Sequence, residues 1–153
     1  MRYQDLIDWA RENTGAETWI ILTKGCCKLP PWELIKTALL YSLNNYFEGR
    51  MITRTLVHEF LIYLVGNRNI TKARKFFEES SAEEIGYVAI SLERDKELEL
   101  LLQQFKARYS LEEIPYDTEC WLSEYSAYLG LPRDKERLIS VLRGRAALLH
   151  LSR

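Results

Sequence analysis

Apolar residues recur at helical spacing along most of this chain, and glycines interrupt the recurrence. Ile35, Leu39, Leu43 and Phe47 are four residues apart and are followed by Gly49. Leu56, Phe60 and Tyr63 or Leu64 form a second stripe, which Gly66 and Asn67 break. Leu138, Leu142, Ala146 and Leu149 form a third near the end of the chain. Such stripes fold as amphipathic helices that must share a core, and glycine just past a stripe is a helix stop. The pattern therefore demands a mainly helical protein.

Helices are predicted over 31–47, 53–65 and 69–79, the last two capped by Thr53 or Thr55 and by Asn69 or Thr71. Leu6, Trp9 and Ala10 mark a short N-terminal helix ending near Asn13, Thr14 and Gly15. Further helices are expected over 95–108, 120–128 and 133–151. Residues 18–23 (TWIILT) and 87–92 (YVAISL) read as strands, and 109–116 as an edge-like strand ended by Pro115. With 153 residues, the expectation is one α+β domain spanning 1–153, helix-rich, with a small β-sheet and a long C-terminal helix.

The 21 basic and 22 acidic residues nearly cancel, which excludes a cation-coated nucleic-acid packaging protein. The cancellation hides blocks of opposite sign. Residues 50–75 carry a net +5, residues 76–124 a net −9, and residues 125–153 a net +4. Arg68, Lys72 and Lys75 share one face of the helix that begins at about residue 69. Cations near a helix N-terminus oppose its dipole, so their presence there suits a phosphate ligand, which the free N–H groups also attract. A solvated helix face is the plainer alternative.

Chemistry is sparse. The three cysteines, with Cys26 and Cys27 adjacent, are too few for a disulfide framework and are expected to be reduced. They and the distant histidines, His58 and His150, provide no zinc-ligand spacing, so no metal is expected. No glycine loop cradles phosphate, and no nucleophile sits beside a base. The carboxylates of 76–124 are interspersed with Arg94, Lys96 and Lys106, as on a solvated surface. No signal peptide or spanning segment is read, and a soluble, cytoplasmic, non-enzymatic protein without cofactor or small-molecule substrate is expected. The alternative is a small metal-dependent hydrolase or nuclease using the acidic 76–124 region. The last helix is unusually apolar, and Arg143, Arg145 and Arg153 beside its stripe suit a protein interface.

Residues 59–73 (EFLIYLVGNRNITKA) resemble the characteristic segment of the PRPK-binding (TPRKB-like) subunit of the KEOPS complex. There a helix ends in glycine, and a polar pair, Ile70 and an alanine-containing helix follow. Residues 141–149 (VLRGRAALL) resemble that family's closing helix, and 128–131 (YLGL) the segment before it. The similarity runs from Leu34 to Leu151. Departures are Arg143 in place of the usual Glu, the intruding Gly144, and a helical rather than stranded start.

The resemblance implies a non-catalytic adaptor in the modification of tRNA to threonylcarbamoyladenosine (t6A). Its partners would be the kinase-like ATPase subunit of KEOPS and the 3′ CCA end of tRNA. The implied RNA-binding residues are Arg50, Arg54, Arg68, Lys72 and Lys75, with Tyr63 and Asn67 reading the exposed end. The implied partner-binding residues are Leu138, Leu142, Arg145, Ala146 and Leu149.

Overall fold

A computed structural model describes residues 2–14, 17–92 and 95–153; Gly15 and Arg94 lie outside them. The elements run α1 (Tyr3–Asn13), β1 (Thr18–Lys24), a 3₁₀ turn (Cys26–Lys28), α2 (Trp32–Glu48), α3 (Leu56–Val65), α4 (Ile70–Glu78), β2 (Ile85–Ser91), α5 (Asp95–Tyr109), α6 (Trp121–Leu129) and α7 (Lys135–Leu151). This is a helix-rich α+β fold with a two-stranded sheet and a 17-residue last helix.

The sheet separates two cores. β1 and β2 pair antiparallel, with Thr18 opposite Ser91 and Lys24 opposite Ile85. Ile21 and Ile90, with Trp19 and Val88, face the larger core of α2, α3, α4, α6 and α7. Ile20 and Leu22 point the other way, onto Leu6 and Ala10 of α1 and Phe105 of α5. Successive strand residues face opposite sides. That is why 18–23 reads as an unbroken apolar run: both of its faces are covered.

Helix ends follow local chemistry. The Thr55 side chain accepts from His58 N at 3.1 Å, and that of Asn69 from Lys72 N at 3.2 Å. Gly49, Gly66 and Gly130 end α2, α3 and α6 in the left-handed conformation, at φ 66°, 64° and 67°. Glu59 is fully buried and accepts from Asn45 Nδ2 (2.9 Å), Ile52 N (3.0 Å) and the backbone N and Oγ1 of Thr53 (both 2.8 Å). Its carboxylate fastens the 49–55 connection to α2 and α3.

Two expectations are corrected. Residues 109–116 are not a strand: α5 continues to Tyr109, and the chain then crosses the surface without joining the sheet. Leu111 packs inward there, and Tyr116 Oη donates to the Leu29 carbonyl at 3.0 Å. Glu113 is held outward instead by Tyr87 Oη and Lys106 Nζ, each 2.5 Å from its Oε1. The cysteines are not all reduced, since Cys27 and Cys120 form a disulfide across 93 residues with their Cα atoms 5.2 Å apart. The fold supplies the proximity that sequence separation conceals.

Candidate functional site

Gly66 lets the α3–α4 corner settle on α7. A Cβ at this position would stand 3.0 Å from the Arg145 carbonyl carbon and 3.2 Å from its Cα, so only glycine fits. Beside the corner lies a cavity of about 610 Å³, lined by Asn67, Lys72, Lys75, Phe76 and Glu79. Glu124, Ala127 and Tyr128 of α6, Arg145 of α7 and Lys28 complete the lining.

Four cations and two carboxylates therefore face one cavity. Lys28 forms its floor: the residue is only 6% exposed, its Nζ lies 2.7 Å from Glu124 Oε2, and the same atom sits 4.2 Å from the centre of the Phe76 ring. A buried ammonium is tolerable when a carboxylate and an aromatic face replace its water. Lys75 lies 4.0 Å from Glu79. Lys72 and Arg145 form no ion pair among the described residues, so their charge is free to meet an anion.

The wall is aromatic. Phe76 packs against Tyr128 and Tyr125 with ring centroids 4.7 and 5.0 Å apart, and Asn67 Nδ2 donates to Tyr128 Oη at 3.1 Å. Free cations beside aromatic rings and an amide suit an anion that carries flat rings, as single-stranded nucleic acid does.

The expected RNA-binding residues are divided by the structure. Lys72, Lys75 and Asn67 meet in the cavity. Arg68 turns away from it: its Nη2 donates to the Ser152 carbonyl at 2.5 Å, a favourable cap for the negative end of α7. Arg50 and Arg54 are exposed on the 49–55 connection, outside the cavity, with Arg50 4.0 Å from Glu48. Tyr63 cannot read a base, because it is 1% exposed and its Oη accepts from Asn45 Nδ2 at 2.8 Å.

The expected partner-binding stripe is likewise corrected. Leu138, Leu142, Ala146 and Leu149 are buried in the main core against α2, α3 and α6. The width of the stripe reflects three packing neighbours rather than an outside partner. Arg145 lines the cavity. The apolar side chains that α7 does expose are Leu148 (67%) and Leu151 (81%), and its neighbour α2 exposes Leu40 and Phe47.

Sequence reasoning missed Lys28, Phe76 and Tyr128. Phe76 lies one position beyond Lys75 in the basic segment, and Tyr128 opens the 128–131 motif; nothing in its own neighbourhood marks Lys28.

His150 stacks on Tyr41 at 4.5 Å between centroids, with its Nδ1 3.4 Å from Tyr63 Oη. Burial, and secondarily Arg153, hold its pKa below the ordinary histidine value. Burial and then Arg74 do the same to His58. Among the described residues, one group of three metal-ligating side chains converges: Cys26, Cys27 and Cys120. No helix of the described residues is long and apolar enough to cross a membrane. The chain matches no family model and no curated protein.

Proposed function

We propose that this protein is a non-catalytic adaptor of the KEOPS type, working in the cytoplasm in tRNA t6A modification. It holds the single-stranded 3′ end of tRNA in the cavity at the Gly66 corner and docks a kinase-like ATPase subunit on another face. The observation that carries the reading is the convergence of Lys28, Lys72, Lys75 and Arg145 on a wall of Phe76 and Tyr128. The two segments that meet there, 59–73 and 141–149, are those that resemble the family. Lys72, Lys75 and Arg145 contact phosphates, and Tyr128 and Asn67 meet the terminal bases. The docking face is the exposed side of α7, with Leu148 and Leu151 as its apolar anchors.

The experiment is tRNA binding across a salt series. Lys72→Glu and Arg145→Glu each weaken binding and flatten its salt dependence, as does removal of the 3′ CCA. Arg54→Glu, outside the cavity, has a smaller effect. Equal tRNA affinity for wild type and both cavity variants at low salt overturns the RNA assignment. Capture of the kinase-like subunit is lost in Leu148→Glu/Leu151→Glu, and retained capture overturns the docking face.

A further inference from the structure

Cys26, Cys27 and Cys120 converge where the end of β1 meets the start of α6, with their sulfur atoms all within 4.8 Å of one another. A disulfide accounts for two of them. It leaves unexplained why a third thiol stands at the same point.

We propose that the three cysteines form, in the reduced chain, a thiolate site for one Zn²⁺ ion, and that the Cys27–Cys120 disulfide is the closed, metal-free state of that site. Zn–S bonds of about 2.3 Å set the sulfurs of a tetrahedral site roughly 3.8 Å apart. Cys26 Sγ lies within 4.8 Å of the other two sulfurs, which the disulfide holds closer together than a metal would. Once the disulfide is opened, side-chain rotation separates Cys27 from Cys120 while the backbone stays in place.

The backbone holds the ligands independently of the metal. Gly25, at φ 99°, turns the chain into the 3₁₀ turn that presents Cys26 and Cys27. Leu29 N closes this turn on Cys26 O at 3.2 Å. Cys120 is fixed at the head of α6 by its N–H to Asp117 Oδ1, at 3.3 Å. Glu84 Oε1 accepts from Cys26 Sγ at 3.8 Å but stands outside the group of three sulfurs, so it orients Cys26 and leaves the fourth coordination position to solvent. Cys26 also opens onto a cavity of about 350 Å³ rimmed by Glu83, Glu84, Glu112 and Glu113, an acidic access route for a cation. Three thiolates select a soft cation over calcium or magnesium.

The exchange balances. A dithiol reductant passes two electrons and two protons to the Cys27–Cys120 bond, giving two thiols and the reductant's cyclic disulfide. Zn²⁺ binding then releases the three thiol protons. A reducing compartment favours this open form. The site does not depend on the RNA reading, and its test uses no RNA.

The test is Zn²⁺ titration of the full chain, reduced with a phosphine and freed of metal, against a chromophoric chelator. One equivalent binds, and Co²⁺ in its place gives a thiolate-to-metal charge-transfer band. The oxidised chain binds none. Cys26→Ser keeps the disulfide and can be purified folded before reduction. It then loses more affinity than the roughly 10–100-fold that removing a ligand's neighbour costs. In the wild type, bound Zn²⁺ protects all three cysteines from alkylation, a readout that needs no variant. Any of three results overturns the proposal: no binding by the reduced chain, equal binding by the oxidised chain, or unchanged affinity in Cys26→Ser.

Discussion

Gly66 and Arg145 meet at a backbone contact that no side chain at position 66 could share. Gly66→Ala places a β-carbon against α7 and also forces alanine into φ 64°. The left-handed conformation costs about 1 kcal/mol and overpacking about 1–3 kcal/mol more. Urea unfolding therefore shows a loss of about 2–4 kcal/mol. Gly130→Ala shares the positive φ but meets nothing within 4 Å, and loses only about 1 kcal/mol. Equal losses in the two variants would disprove the contact.

Glu59 is a structural carboxylate. Its four accepted hydrogen bonds hold the 49–55 connection, and Glu59→Gln turns one oxygen into a donor facing donors. The expected loss is about 1–3 kcal/mol. Faster amide exchange at Ile52 and Thr53 should accompany it; protection equal to wild type at both would rule out the fastening role.

The two faces of α7 answer differently to mutation. Leu142→Ala, in the core, lowers stability by about 2–5 kcal/mol. Leu148→Ser and Leu151→Ser, on the exposed side, stay within about 0.5 kcal/mol of wild type. Thermal melts of the three variants give the order directly.

Acid weakens the fold. His58 and His150 hold depressed pKa values, so the unfolded chain binds protons more readily than the native one. Their contribution is complete above the ordinary histidine pKa of about 6.5 and is lost as pH falls below it. Asp5, held down by the Arg2 backbone N–H, and Glu113, held down by Lys106, act in the same direction at lower pH. Tm accordingly falls between about pH 7.5 and 5.5, and His150→Gln flattens the slope. A Tm that rises on acidification contradicts this.

Reduction has its own signature. The disulfide closes a loop of 93 residues, and opening it without metal costs about 2–4 kcal/mol. Denaturant midpoints with and without reductant, in chelator, measure the difference. An unchanged midpoint would show that α6 is held by packing alone.

Much of the fold was legible because its signals are local. Gly49, Gly66 and Gly130 stop helices through their own backbone, and Asn69 caps α4 from one residue away. The failures share a cause in long-range pairing. Residues 109–116 have strand-like composition, but the segment is held by side chains rather than a backbone ladder: Glu113 is committed to Lys106 and Tyr87, and Tyr116 to the Leu29 carbonyl. The α7 stripe is equally apolar whether it meets a partner or the core. Only the arrival of α2, α3 and α6 decides between them. Lys72 and Lys75 could be picked out by helical spacing. Lys28 could not, because Glu124 and Phe76, which make its burial tolerable, come from distant segments. Cys120 was hidden in the same way.

Cys27 and Lys28 are consecutive, yet one anchors α6 and the other carries its ammonium into the cavity floor. Their Cα atoms are about 3.8 Å apart, joined by a rigid planar peptide. Cys27 bonds to Cys120 at the head of α6, and Lys28 pairs with Glu124 one turn further along, so two neighbouring residues clasp one helix at successive turns. A helix gripped at two points a turn apart cannot roll about its own axis without breaking one of the grips.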